Sequence, residues 1–365
     1  MANDSGRCII VAGASGFVGG AAIAQLARDG WDVVGVSRRA PVEPVPGVEY
    51  VSLDLLDPVA CRTAARSLSR VTHMVYAAVN ETPGSLVASW SDPTHAERNG
   101  RMFANLLDAF VESAPGLSHV SLVHGTKAYA PHHPGRLAVP LKESMPRPDF
   151  DDFYFRQEDH LWAAAKAGKL SWTVFRAQII VGGGRGSNLN GMLALCVLAS
   201  LRRAVGLDLP LPGAGATDAV IEMTDVELLA RGIAWAATAP TACNEIFNIT
   251  NGDVFTWRDL WPAIAGEIGL PVGEHVPFSV VEEISARAAD WAELVRKNGM
   301  TVPEDPMEYL GESAALSDFA LAADRNVITS TVKIRQAGFH VFEDSAESVV
   351  RWIRRWRAEG LLPPK

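Results

Sequence analysis

Gly13, Gly16 and Gly19 recur at every third position, with Ala14, Ser15, Phe17 and Val18 between them, where a short apolar run gives way to a helix-length segment. Glycine at such points permits a tight turn, lets the backbone approach a pyrophosphate and lets the helix pack closely on the strand. The helix N-terminus adds N–H donors and the positive end of its dipole. The turn is read as a dinucleotide cradle in which Gly13, Ser15, Gly16, Phe17, Val18 and Gly19 face the phosphates. The second strand ends in Ser37-Arg38-Arg39, about 20 residues further on, where an NAD site would place Asp or Glu on the ribose hydroxyls. Two guanidinium groups leave that diol without an acceptor but pair well with a ribose 2′-phosphate. NADPH/NADP+ is therefore the expected cofactor. Asp54 and Leu55, after the third strand, are expected to border the adenine, and Ala78 and Val79, after the fourth, to flank the central region of the cofactor.

Proton chemistry is less plainly written. A lysine four residues after a tyrosine would share its helix face and lower the phenol's pKa. The residue at that offset is Asp54 after Tyr50, Asn80 after Tyr76, His133 after Tyr129, Glu158 after Tyr154 and Ser313 after Tyr309. Two other segments carry suitable side chains: His124-Gly125-Thr126-Lys127-Ala128-Tyr129, leaving the fifth strand, and Asp152-Phe153-Tyr154-Phe155-Arg156-Gln157-Glu158-Asp159, opening the next helix. Acids in the first turns of a helix also favour its dipole, so Glu158 and Asp159 have a capping reading beside a catalytic one. His132-His133 suggests metal ligands, yet adjacent imidazoles do not easily face one ion and no further ligand stands at a suitable spacing; no metal is expected. Cys8, Cys61, Cys196 and Cys243 are far apart and read as buried thiols of a reducing cytoplasm.

The elements that must position these residues follow from apolar runs of strand length at 8–12, 33–37, 48–54, 74–78, 120–124 and 173–181, with a later one at 246–250. Helix-length segments at 17–29, 58–68, 96–114 and 153–167 separate them. Such alternation predicts an α/β fold: a Rossmann-type doubly wound parallel sheet with right-handed crossovers. After Val181 the run Gly182-Gly183-Gly184-Arg185-Gly186 reads as a flexible break, followed by an apolar helix near 189–201, a Pro/Gly-rich passage at 210–215 and mainly helical chain. The expected organisation is a dinucleotide-binding domain over 6–182, with a returning strand at about 244–250, and a smaller, mostly helical substrate lobe over 183–365. With 365 residues, 48% apolar and 21% charged, the chain has ample material for a packed core, and its net charge of −9 gives no field for nucleic acid or anionic lipid. The uncharged stretch from Cys8 to Ala27 carries glycine where a lipid-facing helix would carry Leu and Ile, so the chain is read as soluble, cytoplasmic and complete, with no membrane span.

The Gly-x-Lys-x-Tyr segment at 125–129 and the Phe-Tyr-aromatic-x-x-Glu-Asp segment at 153–159 together resemble the progesterone 5-beta-reductase and iridoid synthase family of atypical extended short-chain reductases. The resemblance extends to Val36-Ser37-Arg38-Arg39-Ala40-Pro41, to Glu97–Phe103 and to Asn244–Trp257, which is similar to that family's NExFNxxNGDxFxW stretch. It implies an NADPH-dependent 1,4-reduction of the C=C bond of a small hydrophobic enone or enal. Tyr154 would stabilise the enolate and also border the cofactor, and Lys127 would support the phenol and hold the nicotinamide ribose. Ile180, Ser187, Asn188 and Leu189 would touch the nicotinamide and phosphates. Tyr129, Met145, Trp162 and Met192 are candidates for an apolar pocket wall. Asp152 and Phe155 depart from the family's usual Asn and Tyr, and Ala177 from its usual Pro. Two other readings share the scaffold: a nucleotide-sugar epimerase or dehydratase, which needs the Tyr–Lys pair missing here, and a non-catalytic NADPH sensor, which has no use for Tyr154 and Lys127. A homodimer is a scaffold-level expectation.

Overall fold

The buried apolar runs pair as a seven-stranded, all-parallel sheet in the computed structural model, which describes residues 6–81, 84, 89, 90, 92–168, 170–186 and 189–365. Its strands are β1 (Cys8–Ala12), β2 (Asp32–Ser37), β3 (Glu49–Ser52), β4 (His73–Tyr76), β5 (His119–Gly125), β6 (Ser171–Ala177) and β7 (Glu245–Ile249). They lie in the order β3-β2-β1-β4-β5-β6-β7. The order reverses between β1 and β4, which opens a crevice beyond the carboxyl ends of the strands at that switch point. Buried on both faces, β1 is apolar throughout rather than alternating.

Helices cover both faces. On one side lie α1 (Phe17–Arg28) and the helix Val226–Ala236; on the other lie α2 (Pro58–Ser67), α3 (Pro93–Ser113) and α4 (Phe153–Ala167). The second group starts on aspartate caps: Asp57, Asp92 and Asp152 each accept from first-turn N–H groups, with Pro58 and Pro93 in the first helical position. That is where a missing N–H and a preset φ cost least.

The rest of the chain builds a helical lobe around α5 (Gly191–Ala204), whose residues from Met192 to Leu201 are all buried. Trp257, Trp261, Trp291, Trp352 and Trp356 pack in the same core. Four of these indoles find acceptors: Trp261 on Pro210 O, Trp291 on Pro303 O, Trp352 on Asp225 Oδ2 and Trp356 on Gly183 O. Buried Trp generally needs such a partner. No described helix is long and apolar enough to cross a membrane.

Three local expectations are corrected: the run at 173–181, the glycine run and the burial of Cys243. The run at 173–181 is two strands: β6 stops at Ala177, Ile179 turns through φ +35°, and Ile180–Val181 pairs with Thr224–Asp225 instead. The glycine run is a packed crossing rather than a flexible break. An added Cβ at Gly183 would sit 2.4 Å from Phe17 Cβ and one at Gly182 would sit 2.5 Å from the Trp352 ring. The carbonyl of Gly182 also accepts from Asn190 Nδ2 at 2.7 Å. The Pro/Gly-rich passage holds a short strand, Leu209–Leu211, and a short helix, Ala214–Asp218. Cys243 is half-buried rather than buried like the other three thiols.

Gly183→Ala must place a side chain at φ +87° against Phe17, so it is expected to lose about 1–3 kcal/mol of stability through overpacking. Gly266→Ala, in a helix with open space around it, should be neutral or stabilising. Urea midpoints of the two variants check this; equal midpoints would contradict the close crossing.

Candidate active site

The carboxyl ends of β1, β2, β4, β5 and β6 run out into one cleft with a volume of about 820 Å³. At its sheet end lies the glycine turn. Gly13 has φ +91°, and a Cβ there would meet Ala77 O at 2.7 Å; a Cβ on Gly19 would lie 2.2 Å from Gly13 O. Only glycine lets β1, β4 and α1 approach so closely. Gly16 caps α1 without a side-chain bond and no acid stands in the first turn, which leaves the positive helix end open to an anion.

Along the same cleft lie Ser15, Phe17, Val18, Ser37, Arg38, Arg39, Asp54, Leu55, Ala78, Val79, Ile180 and Leu189. Ser187 and Asn188 lie outside the described residues. The Ser37 hydroxyl donates to Arg39 O at 2.5 Å and Ser52 Oγ to Arg38 O at 3.1 Å, which hold the turn that carries the two arginines. Both arginines are exposed, and among the described residues neither guanidinium has an acidic partner. This chemistry fits a dinucleotide: backbone donors where the pyrophosphate would lie, and two cations at the far end.

Lys127 and Tyr154 reach the cleft from different elements. β5 ends at Gly125, and a single 3-10 turn, Thr126–Tyr129, carries Lys127. Tyr154 is the second residue of α4, and its N–H donates to Asp152 Oδ1 at 2.9 Å. The other oxygen of the same carboxylate receives Lys127 Nζ at 2.9 Å, in a pair whose side chains are 11% and 1% exposed. Lys127 Nζ also lies 4.5 Å from the Phe153 ring centre, 5.0 Å from that of Tyr154 and 5.3 Å from that of Trp90, an aromatic setting that suits a cation.

The Tyr154 ring stacks on His124, with centroids 4.1 Å apart and planes within 16°. Burial raises the phenol's pKa, and the carboxylates of Asp152 and Glu81 raise it further, while the Gly125 backbone and Arg176 work the other way. Tyr154 therefore keeps its proton and remains an O–H donor. Glu81 is itself paired with the buried His95 at 3.1 Å.

Beneath this pair lies a buried ionic layer. Glu158, the residue four after Tyr154, meets Arg176 at 3.1 Å and Arg147 at 2.8 Å, with His124 Nδ1 at 3.6 Å. Burial works to raise its pKa, but His124 and Arg176 outweigh it and hold the carboxyl down at about 2. Neither the capping nor the catalytic reading of Glu158 fits: it is a buried counter-ion for two arginines. Asp159 pairs with Arg147 at the surface.

Three expected wall residues are elsewhere. Tyr129 donates to Asn248 Oδ1 at 2.6 Å and lies under the Arg176 guanidinium, Met145 packs with Tyr129 and Leu141, and Trp162 packs on Trp172 and Arg147. Of the four only Met192 lines the cleft. The wall is completed by residues that sequence reasoning missed: Trp90, Phe153, Leu195, Ile221, Trp257, Leu316 and Phe319. The cap signal of an Asp before a helix marked Asp152, but nothing local marked the helix Ser313–Leu321 as a cleft wall. Among the described residues no group of three His, Cys, Asp or Glu could hold a metal.

A model of the NAD dependent epimerase/dehydratase family matches residues 9–250. The chain is 32% identical over 348 residues to (S)-8-oxocitronellyl enol synthase ISY1 of Nepeta racemosa, covering 91% of this chain and 86% of that protein. It is 31% identical over 352 residues to 3-oxo-Delta(4,5)-steroid 5-beta-reductase of Arabidopsis thaliana, again covering 91% and 86%. Among solved structures, UDP-glucose 4-epimerase of Thermotoga maritima superposes with a TM-score of 0.67 at 16% identity, covering 96% of this chain and 99% of that one. The Bordetella bronchiseptica enzyme WbmH in complex with NAD+ gives 0.65 at 14% identity, covering 97% and 99%. The structural likenesses speak for the fold, and the sequence likenesses for descent: the chain belongs to the NAD dependent epimerase/dehydratase family, in the branch of nicotinamide-dependent oxidoreductases that holds the enol synthases and steroid 5-beta-reductases.

Proposed function

We propose that this protein is an NADPH-dependent reductase of the conjugated C=C bond in small enones or enals. The observation that carries this reading is the meeting of Lys127 and Tyr154 on one Asp152 carboxylate, in the cleft that also holds the glycine turn and Arg38-Arg39. When bound, NADPH supplies a hydride for the β-carbon of the substrate. Tyr154 donates a hydrogen bond to the carbonyl oxygen, where negative charge grows as the enolate forms; a donor aimed at developing charge acts on the barrier rather than on ground-state binding. Lys127, held beside the ring by Asp152, adds positive potential at the same place. The α-carbon then takes a proton from solvent, and the saturated carbonyl compound leaves.

The relatives named as an enol synthase and a steroid 5-beta-reductase support this chemistry over sugar epimerisation. So does Glu158: the position where a helical Tyr–Lys pair would need lysine carries a buried acid already committed to two arginines. Arg38 and Arg39 would hold the 2′-phosphate, and the raised phenol pKa keeps the donor proton in place through neutral and mildly alkaline pH, so the rate should stay flat there.

Tyr154→Phe keeps the stack on His124 and removes only the O–H. Its enone-dependent NADPH oxidation is expected to fall by about 10²–10³, as for loss of one oxyanion donor, with NADPH affinity unchanged. Wild-type activity retained in this variant would contradict the assignment, as would wild-type turnover of a UDP-sugar without net cofactor consumption. Replacing Arg38 and Arg39 together by Ala is expected to raise KM for NADPH by about tenfold or more, the worth of a charge-assisted hydrogen bond, and to leave KM for NADH nearly unchanged. Equal effects on both cofactors would remove the arginines from phosphate recognition.

A further inference from the structure

Beyond Lys127 the chain forms a loop whose Pro131 and His132 line the cleft. The His132 imidazole is half-buried there and meets three rings edge-on: Trp90, His133 and Phe150, with centroids at 6.2, 4.5 and 5.8 Å. The loop is pinned from both sides. Ala130 adopts a left-handed φ of +55°, which alanine rarely takes and which persists only where the surroundings enforce it. Arg325 Nη1 donates to the carbonyls of His133 and Gly135 at 2.9 and 3.3 Å.

Neither His132 nitrogen is sealed from solvent, so each is open to water or to a ligand. Among the described residues neither nitrogen of His132 has a hydrogen-bonding partner, while every other histidine except His133, which does not line the cleft, has at least one. The Trp90 ring that supports His132 also lies 5.3 Å from Lys127 Nζ, so His132 and Lys127 adjoin one aromatic ring of the cleft wall. Burial and the neighbouring His133 and Lys127 lower the pKa of His132 to about 4, with Asp152 opposing them. The ring is thus neutral at physiological pH and offers one N–H and one lone pair. Such a group matches an uncharged hydroxyl or carbonyl.

We propose that His132 is a specificity-determining residue whose imidazole hydrogen-bonds a second, uncharged oxygen on the enone or enal, remote from the conjugated system. The reductase reading supplies the identity of the conjugated end; the geometry of His132 supplies the second contact.

The test uses straight-chain trans-2-enals of increasing length, each with and without a terminal hydroxyl, bound to the full-length protein at pH 7 with saturating NADP+ and followed by calorimetry. For at least one length the hydroxyl is expected to tighten binding about three- to tenfold, the net worth of one neutral hydrogen bond. In His132→Phe, which keeps a ring against Trp90 and Phe150, that advantage should vanish while the plain enal binds as before. His132→Gln, which restores a donor and an acceptor, should recover part of it. A hydroxyl advantage absent from the wild type at every length, or retained in His132→Phe, overturns the proposal. Binding needs no turnover, so enals that bind with the hydroxyl advantage and are never reduced would overturn the reductase reading alone.

Discussion

One carboxylate holds the two halves of the candidate active site together. Asp152 accepts Lys127 Nζ on one oxygen and the Tyr154 N–H on the other, each at 2.9 Å, and so joins the exit of β5 to the first turn of α4. Both partners of the ion pair are nearly removed from solvent. Breaking such a pair by removing one member typically costs about 3–5 kcal/mol, because the remaining charge stays buried. The two elements are thus locked to each other through the groups proposed to do the chemistry. A Tyr–Lys pair on one helix would obtain its geometry from helical spacing alone; here tertiary structure supplies it, and the Tyr154 ring stacks on His124, which lies 3.6 Å from the Glu158 carboxylate of the buried pair with Arg176.

The helical lobe gives that arrangement its far wall. Its tryptophan-rich core is fastened to the sheet domain at the glycine crossing, where Trp352 and Trp356 close on Gly182 and Gly183, and through buried Asp225, which accepts from Ser348, Arg351 and Trp352. Leu195, Leu316 and Phe319 then line the cleft together with Trp90 and Phe153, Phe319 packing edge-on against Trp90. The result is a chamber whose lining is mostly apolar by area, with polar and charged side chains set among the apolar ones.

Much of the sheet and of the strand ends that line the cleft was legible in sequence, because each feature there is local. A buried parallel strand shows itself as an unbroken apolar run, and Gly13 and Arg38 stand immediately after one, with Asp54 and Ala78 one residue further beyond theirs, where open α/β folds bind ligands. The substrate side was not legible for the opposite reason. Tyr129, Met145 and Trp162 have the composition of a pocket wall, but side-chain type does not say which way a residue faces; Tyr129 is turned to Asn248 and Arg176, and Trp162 to Trp172. The helix Ser313–Leu321 and Trp90 reach the cleft only through packing between segments more than 200 residues apart. The break after Ala177 depends on Ile179 turning toward Thr224, again a distant partner.

The most direct test is to reduce a simple enone with NADPH carrying deuterium at the transferable position of its nicotinamide and to locate the label by NMR. Deuterium on the β-carbon of a saturated carbonyl product is the expected result. Deuterium on a carbinol carbon, or a product with no label, would contradict conjugate reduction in this cleft.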